Sequence, residues 1–198
     1  MFFGRKREVV AGRVPPNQRV TTGWPVLHTG GIPAYTKDLS NWDLRIYGQV
    51  EEEMYLSFEE LLNLPQYIAG NDIHCVTGWS KLDNEWKGIQ TLQIAKLAGV
   101  KPEAQFVILH AEEGWSTNLP LADFLRDTSL LAHSHNGDWL TPEHGYPLRA
   151  VIPHLYFWKS AKWVRAIEFT VQNKPGFWER NGYHMYGRPW KEERFSWD

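Results

Sequence analysis

The sequence predicts an α+β fold, mixed and strand-rich with short helices. Three observations carry this. Segments of alternating apolar and polar residues appear near both ends of the chain, as in "WDLRIYGQV" and "WVRAIEFTVQ". The helical segments between them, "FEELLNL" and "LQIAKLA", are short and bounded by cap and stop residues. An Asn-Gly pair at 136–137 lies between apolar flanks, as in a two-residue hairpin.

Residues 1–36 are rich in Pro, Gly and Thr with little periodicity, and read as an extended arm lying over one domain that occupies 37–198. From Asn41, Leu44 and Ile46 alternate with Asp43 and Arg45 as a half-buried strand, and "EMYLSF" is its hairpin partner. Ser57 with Glu60 forms a capping box for a helix that Pro65 stops. Thr91 is placed to cap a second helix, which Gly99 ends. "FVILHA" at 106–111 suits an interior strand, and "LPLADFLRD" a helical turn or two entered through Pro120. "LLAHS" and "DWLT" flank the Asn136-Gly137 turn. "PLRAVIP" and "WVRAIEFTVQ" are the last strands, the second setting Trp163, Arg165, Ile167, Phe169 and Val171 on one face by period-two spacing.

At 198 residues and 42% hydrophobic, the chain supports one domain whose core needs no covalent staple. A formal net charge of −2 argues against a nucleic-acid or membrane-surface protein held by overall positive charge. No apolar run approaches the ~20 residues that cross a bilayer. The basic start "MFFGRKREVV" lacks the apolar run of about 7–15 residues of a secretory signal. With a single cysteine and no possible intramolecular disulfide, a reducing cytoplasm is expected. Eleven tryptophans point to a rigid core or to pocket walls.

The one cysteine, Cys75, sits in the polar stretch "NDIHCVTGWSKLDNEW". It reads as a small buried hydrophobe, as a nucleophile needing a nearby His, or as a thiolate ligand to a soft metal whose other ligands come from a cofactor. Zinc fits poorly, because His74 points the opposite way on a strand. His133 and His135 beside the hairpin read as incidental. The stretch from His144 to Arg165 carries Arg149, Lys159, Lys162 and Arg165 with no acidic residue, and Ser160 adds a hydroxyl. It reads either as a local anion site or as a solvated basic strand edge. No Gly-rich phosphate loop is present, which argues against a nucleoside triphosphate site.

"DIHCVTGWSKLDNEWKG", "HGYPLR", "VIPHLYFWKSAKWVRAIEF" and "GFWERNGYH" together resemble the sulfite oxidase-like molybdopterin oxidoreductases, specifically the short single-domain prokaryotic members, from about residue 20 to the end. The resemblance implies a sulfite oxidase-type fold and a mononuclear molybdenum-molybdopterin cofactor. It implies that Cys75 is the catalytic metal ligand, adding a sulfur to the two of the dithiolene. His144 and Arg149 match the family's His-x-x-x-x-Arg element, and Ser160 and Lys162 its Ser-x-Lys element, so these bind the pterin and its phosphate; Lys159 lies beside them as a further contact. "WPVLHTGGIP" resembles an N-terminal element along the cofactor, placing His28 at the pterin. Thr77, Trp79 and Ser80 lie close behind the ligand, and Trp115 and Thr117 wall the pocket.

Sulfite oxidases proper place an arginine shortly after the ligand cysteine, whereas here "VTGWS" follows and the first basic residue is Lys81. The expectation is therefore oxygen-atom transfer that reduces a small S-oxide or N-oxide. The alternative is a non-catalytic pterin or anion carrier on the same scaffold. Neither a haem nor an iron–sulfur motif is present, which implies an external electron donor or acceptor protein. The length leaves no room for the family's extra dimerisation domain, which implies a monomer.

Overall fold

The computed structural model describes residues 12–27 and 29–198. The chain opens with β1 (Arg19–Val20), β2 (Asp43–Gly48), β3 (Met54–Ser57) and helix α1 (Phe58–Asn63). A long hairpin follows, β4 (Tyr67–His74) and β5 (Trp79–Gln90), then α2 (Thr91–Leu97), β6 (Phe106–Ala111), β7 (Ser116–Pro120) and α3 (Leu121–Phe124). The remainder is β8 (Leu130–His135), β9 (Asp138–Trp139), β10 (Arg149–Val151), β11 (Val164–Thr170) and α4 (Phe177–Arg180). The fold is strand-rich with short helices, as the sequence indicates.

The strands form two sheets. One runs β1-β5-β8-β10, with β4 on β5 and β9 on β8; the other runs β3-β2-β11-β6-β7. In the second sheet β2 and β11 are parallel, so Arg45–Gly48 pair with Ala166–Phe169 of the last strand across most of the chain. Core side chains from both sheets meet in one cluster: Leu44 and Ile46 from β2, Val107 and Leu109 from β6, Ile167 and Phe169 from β11, with Leu131 and Ala150 from the other sheet. Burying each Leu or Ile contributes about 1.5–3 kcal/mol. The first sheet is covered on its other face too, where Ile73, Trp86, Leu130, Ala132 and Val151 form a second cluster that reaches Cys75 and Trp79. Leu130 and Ala132 point to one face and Leu131 to the other, as strand alternation requires.

Local signals were followed closely in several places. Ser57 accepts from the Glu60 backbone while Glu60 accepts from the Ser57 backbone, completing the capping box. Asn136 and Gly137 have φ of 50° and 88°, the mirror-image conformation that a type I′ turn needs. Two expectations need correction. Thr91 does not cap α2, since Gln90 holds the cap position and the buried Thr91 hydroxyl donates to the Phe124 carbonyl, tying α2 to α3. The single face expected to carry Trp163, Arg165, Ile167, Phe169 and Val171 is broken by a bulge between Val164 and Ala166. Val164 joins Ile167 and Phe169 in the core, while Val171 is exposed.

Among the described residues from 12 to 36 the only regular piece is β1, which lies parallel to β5 and pairs Arg19 with Trp79 and Val20 with Ser80. No helix among the described residues is long and apolar enough to cross a membrane.

Candidate active site

Cys75 begins the four-residue turn that joins β4 to β5. The Gly78 N–H donates to its carbonyl at 3.0 Å, and its own N–H donates to the Trp79 carbonyl at 2.8 Å. From the arm, Gln18 Nε2 also donates to the Cys75 carbonyl at 3.0 Å. Cys75 is 8% exposed and lines a cleft of about 340 Å³. Burial pushes its pKa up, while a hydrogen bond with Thr77 Oγ1 at 3.1 Å and the nearby charge of Arg194 pull it back. The neighbouring His74 turns away to Ser80 Oγ at 2.8 Å and is held neutral, its pKa pushed down to about 4 by burial. That bond also takes Ser80 away from the cleft.

Two cations, Arg149 and Lys162, line the same cleft. Arg149 is almost wholly buried, and its guanidinium donates to the carbonyls of His144 at 2.7 Å and Ser160 at 2.9 Å. It lies 4.3 Å from the centre of the Phe157 ring and 5.2 Å from that of Trp24. Lys162 Nζ donates to the carbonyls of Leu27, on the arm, and Glu143. Gly145, at φ 108°, brings the two chains together: a Cβ there would stand 3.0 Å from Arg149 Cβ and 3.1 Å from Lys162 Cβ. Burial pushes the Arg149 pKa down to about 9, and burial with Arg149's repulsion pushes Lys162 down to about 8. Arg149 is in no ion pair among the described residues, so an anion entering between these groups would relieve a desolvation penalty that carbonyls only partly offset. This donor set fits a phosphate-bearing cofactor.

Of the four basic residues between 144 and 165, the structure separates two from this pair. Arg165 is bound by Asp43 at 2.9 Å and Glu112 at 2.7 Å. Lys159, expected as a cofactor contact, is fully buried outside the cleft lining, with Nζ on Glu179 Oε1 at 2.6 Å, Asn118 Oδ1 at 2.9 Å, and the carbonyls of Asn118 and Met185. All its donors are committed, so the geometry removes Lys159 from the cofactor set. Its acidic partner lies 20 residues downstream, too far for local charge counting to reveal. Ser160 lines the cleft, although its Oγ accepts from the Ile152 N–H at 2.9 Å. His144 also lines it, stacked on Trp24 at 3.7 Å between ring centres. His28 lies outside the described residues.

Aromatic side chains make the remaining wall. Trp115 packs on Phe177 at 3.9 Å, Trp178 lies 5.0 Å from Tyr183, and Tyr183 lies 5.1 Å from Trp158. Trp79, Thr77, Trp115 and Thr117, each flagged by the sequence, all line the cleft. Trp24, Trp158, Trp163, Trp178 and Tyr183 do so as well; they lie within the stretches that carry the family resemblance, without individual roles assigned from sequence. His133 and His135 bond to Gln66 and Asn84 respectively, outside this site.

A sequence model described as the oxidoreductase molybdopterin binding domain matches residues 29–178. The chain belongs to this family. It is an oxidoreductase of the sulfite oxidase-like kind, and its cofactor is molybdenum-molybdopterin. The oxidoreductase is 64% identical over its full length to the "uncharacterized oxidoreductase YuiH" of Bacillus subtilis, all of which it spans. It is 25% identical over 87% of its length to a protein of Azospira oryzae named as a putative protein-methionine-sulfoxide reductase subunit, YedZ1, and spans 66% of that protein. Among solved structures, the sulfane dehydrogenase SoxCD of Paracoccus pantotrophus shares the fold, with a TM-score of 0.68 at 24% identity over 78% of the oxidoreductase and 43% of the SoxCD chain.

Proposed function

We propose that this oxidoreductase reduces a small neutral S-oxide or N-oxide by oxygen-atom transfer at molybdenum, with Cys75 as the protein ligand to the metal. When bound, the cofactor supplies the two-electron redox chemistry of that transfer. Arg149 and Lys162, with His144 and Ser160 beside them, hold the pterin and its phosphate, and the arm carrying Trp24 and Leu27 closes over them. The Thr77 hydroxyl, hydrogen-bonded to the Cys75 sulfur, orients it. The aromatic wall excludes water and seats the apolar part of the substrate.

The observation that carries this reading is the charge distribution in the cleft. Among the described residues no carboxylate lines it, and its only lysine and arginine are Arg149 and Lys162. Trp79, Trp115, Trp178 and Tyr183 line the same cleft as Cys75. A site for sulfite needs cations that face the substrate, whereas a sulfoxide needs an apolar seat. In the reaction the S=O bond breaks, sulfur gains two electrons, and the oxygen leaves as water with two protons. The electrons come from an external donor protein. The Azospira relative's name refers to the same substrate class. A lone thiol suits a reducing compartment, and we place the enzyme in the cytoplasm as a monomer.

The test compares two assays on molybdenum-loaded enzyme: oxidation of a reduced viologen dye by alkyl, aryl and methionine sulfoxides and by amine N-oxides, and reduction of ferricyanide by sulfite. Reduction of at least one oxide with kcat/KM more than about 10-fold above that for sulfite is expected, a discrimination of about 1.4 kcal/mol. Cys75→Ser abolishes it. Faster oxidation of sulfite than reduction of any oxide would overturn the reading.

A further inference from the structure

The residues after Cys75 supply no cation, since Lys81, the first basic residue, is held by Asn84 Oδ1 at 2.8 Å. The structure brings one from the far end of the chain. Arg194 Nη1 donates to the Val76 carbonyl, inside the Cys75 turn, and its guanidinium lies 4.9 Å from the centre of the Tyr156 ring. The tail is fastened there by its own bonds: Tyr183 bridges to Phe195, the His184 N–H donates to the Arg194 carbonyl, and the Ser196 N–H donates to the Gly182 carbonyl.

Two features separate Arg194 from an ordinary surface arginine. Its side chain is only 16% exposed, and Nη2 is enclosed with no hydrogen-bond acceptor among the described residues. The carboxylate that approaches it, Glu192 Oε1, stays 4.0 Å away. A second carboxylate, Asp198, accepts from the Arg194 backbone N–H at 2.9 Å but makes no ion pair with the guanidinium among the described residues, so the charge is only partly offset. Arg194 does not line the cleft, so it acts on the turn from behind and does not meet substrate.

We infer that Arg194 is a positioning residue that fixes the Cys75 turn and raises the reduction potential of the metal through its charge. Adding an electron to the metal site adds negative charge, and a fixed cation behind the ligand favours that form. The hydroxyl of Thr77, 3.1 Å from the sulfur, works in the same direction. The inference rests on Cys75 being the metal ligand.

The test is a mediated redox titration of the full-chain, molybdenum-loaded enzyme, following the metal's paramagnetic state by electron paramagnetic resonance. Arg194→Gln is expected to lower the midpoint potential, and Arg194→Lys, which keeps the charge, to hold it near that of the unaltered enzyme. Glu192→Gln, at a half-buried residue whose Oε1 can still accept from Asn17 Nδ2 as an amide oxygen, removes the partial counter-charge and is expected to raise it. An unaltered potential in Arg194→Gln overturns the inference, as does an equal fall in the Lys and Gln variants, which would assign the effect to shape. If Arg194→Gln does not load metal, Glu192→Gln decides: a raised potential supports the inference and an unchanged one overturns it. Cys75→Ser separates the two levels. An unchanged metal signal in that variant removes Cys75 as ligand and the functional reading with it; a changed signal alongside an unshifted Arg194→Gln potential removes only this inference.

Discussion

Lys159→Met should destabilise the fold without acting on cofactor binding directly. Lys159 and Glu179 form an ion pair at 2.6 Å with both side chains at 0% exposure. Burial lowers the Lys159 pKa, and Glu179 counters this. Without the ammonium, the Glu179 carboxylate keeps, among the described residues, only Trp158 Nε1 at 3.0 Å and Thr117 Oγ1 at 3.1 Å, and its Oε2 has no partner there. The carbonyls of Asn118 and Met185 lose a donor as well. Breaking a buried pair from one side costs about 3–5 kcal/mol. For a domain of this size that corresponds to a fall in Tm of roughly 6–20 °C. The assay is thermal unfolding of the cofactor-free protein, with pterin content measured separately at a temperature where the variant is folded. Replacing both partners, as Lys159→Met with Glu179→Leu, should recover most of the loss, because no charge is then left unpaired. A Lys159→Met variant that melts within about 2 °C of the parent but loses its pterin would refute the argument and restore Lys159 to the phosphate site.

Other consequences are equally measurable. His74, His133, His135 and His144 have pKa values pushed down to about 4 by burial, from an ordinary 6.5. The unfolded chain therefore binds protons that the folded one refuses, so the stabilisation present above pH 6.5 is lost as pH falls toward 4. Urea midpoints across that window should decline steadily, and a flat profile would contradict the burial described. Arg149→Met removes two short hydrogen bonds and the buried charge beside Lys162; pterin retention should fall about 10- to 100-fold, by the ~1.5–3 kcal/mol of a charge-assisted bond, as read by dialysis and fluorescence of the oxidised pterin. Gly88→Ala would place a Cβ 2.0 Å from the Leu131 carbonyl, in the middle of the β5-β8 ladder. Denaturant unfolding should show a loss of about 1–3 kcal/mol, since backbone must move to admit it.

Much of this was legible locally. The capping box at Ser57, the Asn136-Gly137 turn and the 106–111 strand each depend on a few adjacent residues, and the structure follows them. The β4-β5 hairpin was not read as such. "YIAGNDIH" and "WSKLDNEW" carry Gly, Asn and Asp inside the strands, and Asp83 adopts φ 57° within β5, so turn chemistry masked the alternation. The site divides in the same way. Cys75, Arg149 and Lys162 stood out as a lone thiol and as cations without local acids. The exclusion of Lys159 depends on Glu179, and the cation behind the Cys75 turn on Arg194, both placed by tertiary contacts from the chain's last 20 or so residues.

The central claim is that Cys75 binds molybdenum in this cleft. X-ray absorption at the molybdenum edge, on the loaded enzyme and on loaded Cys75→Ser, tests it most directly. The account predicts one sulfur neighbour fewer in the variant, and an unchanged sulfur count would contradict it.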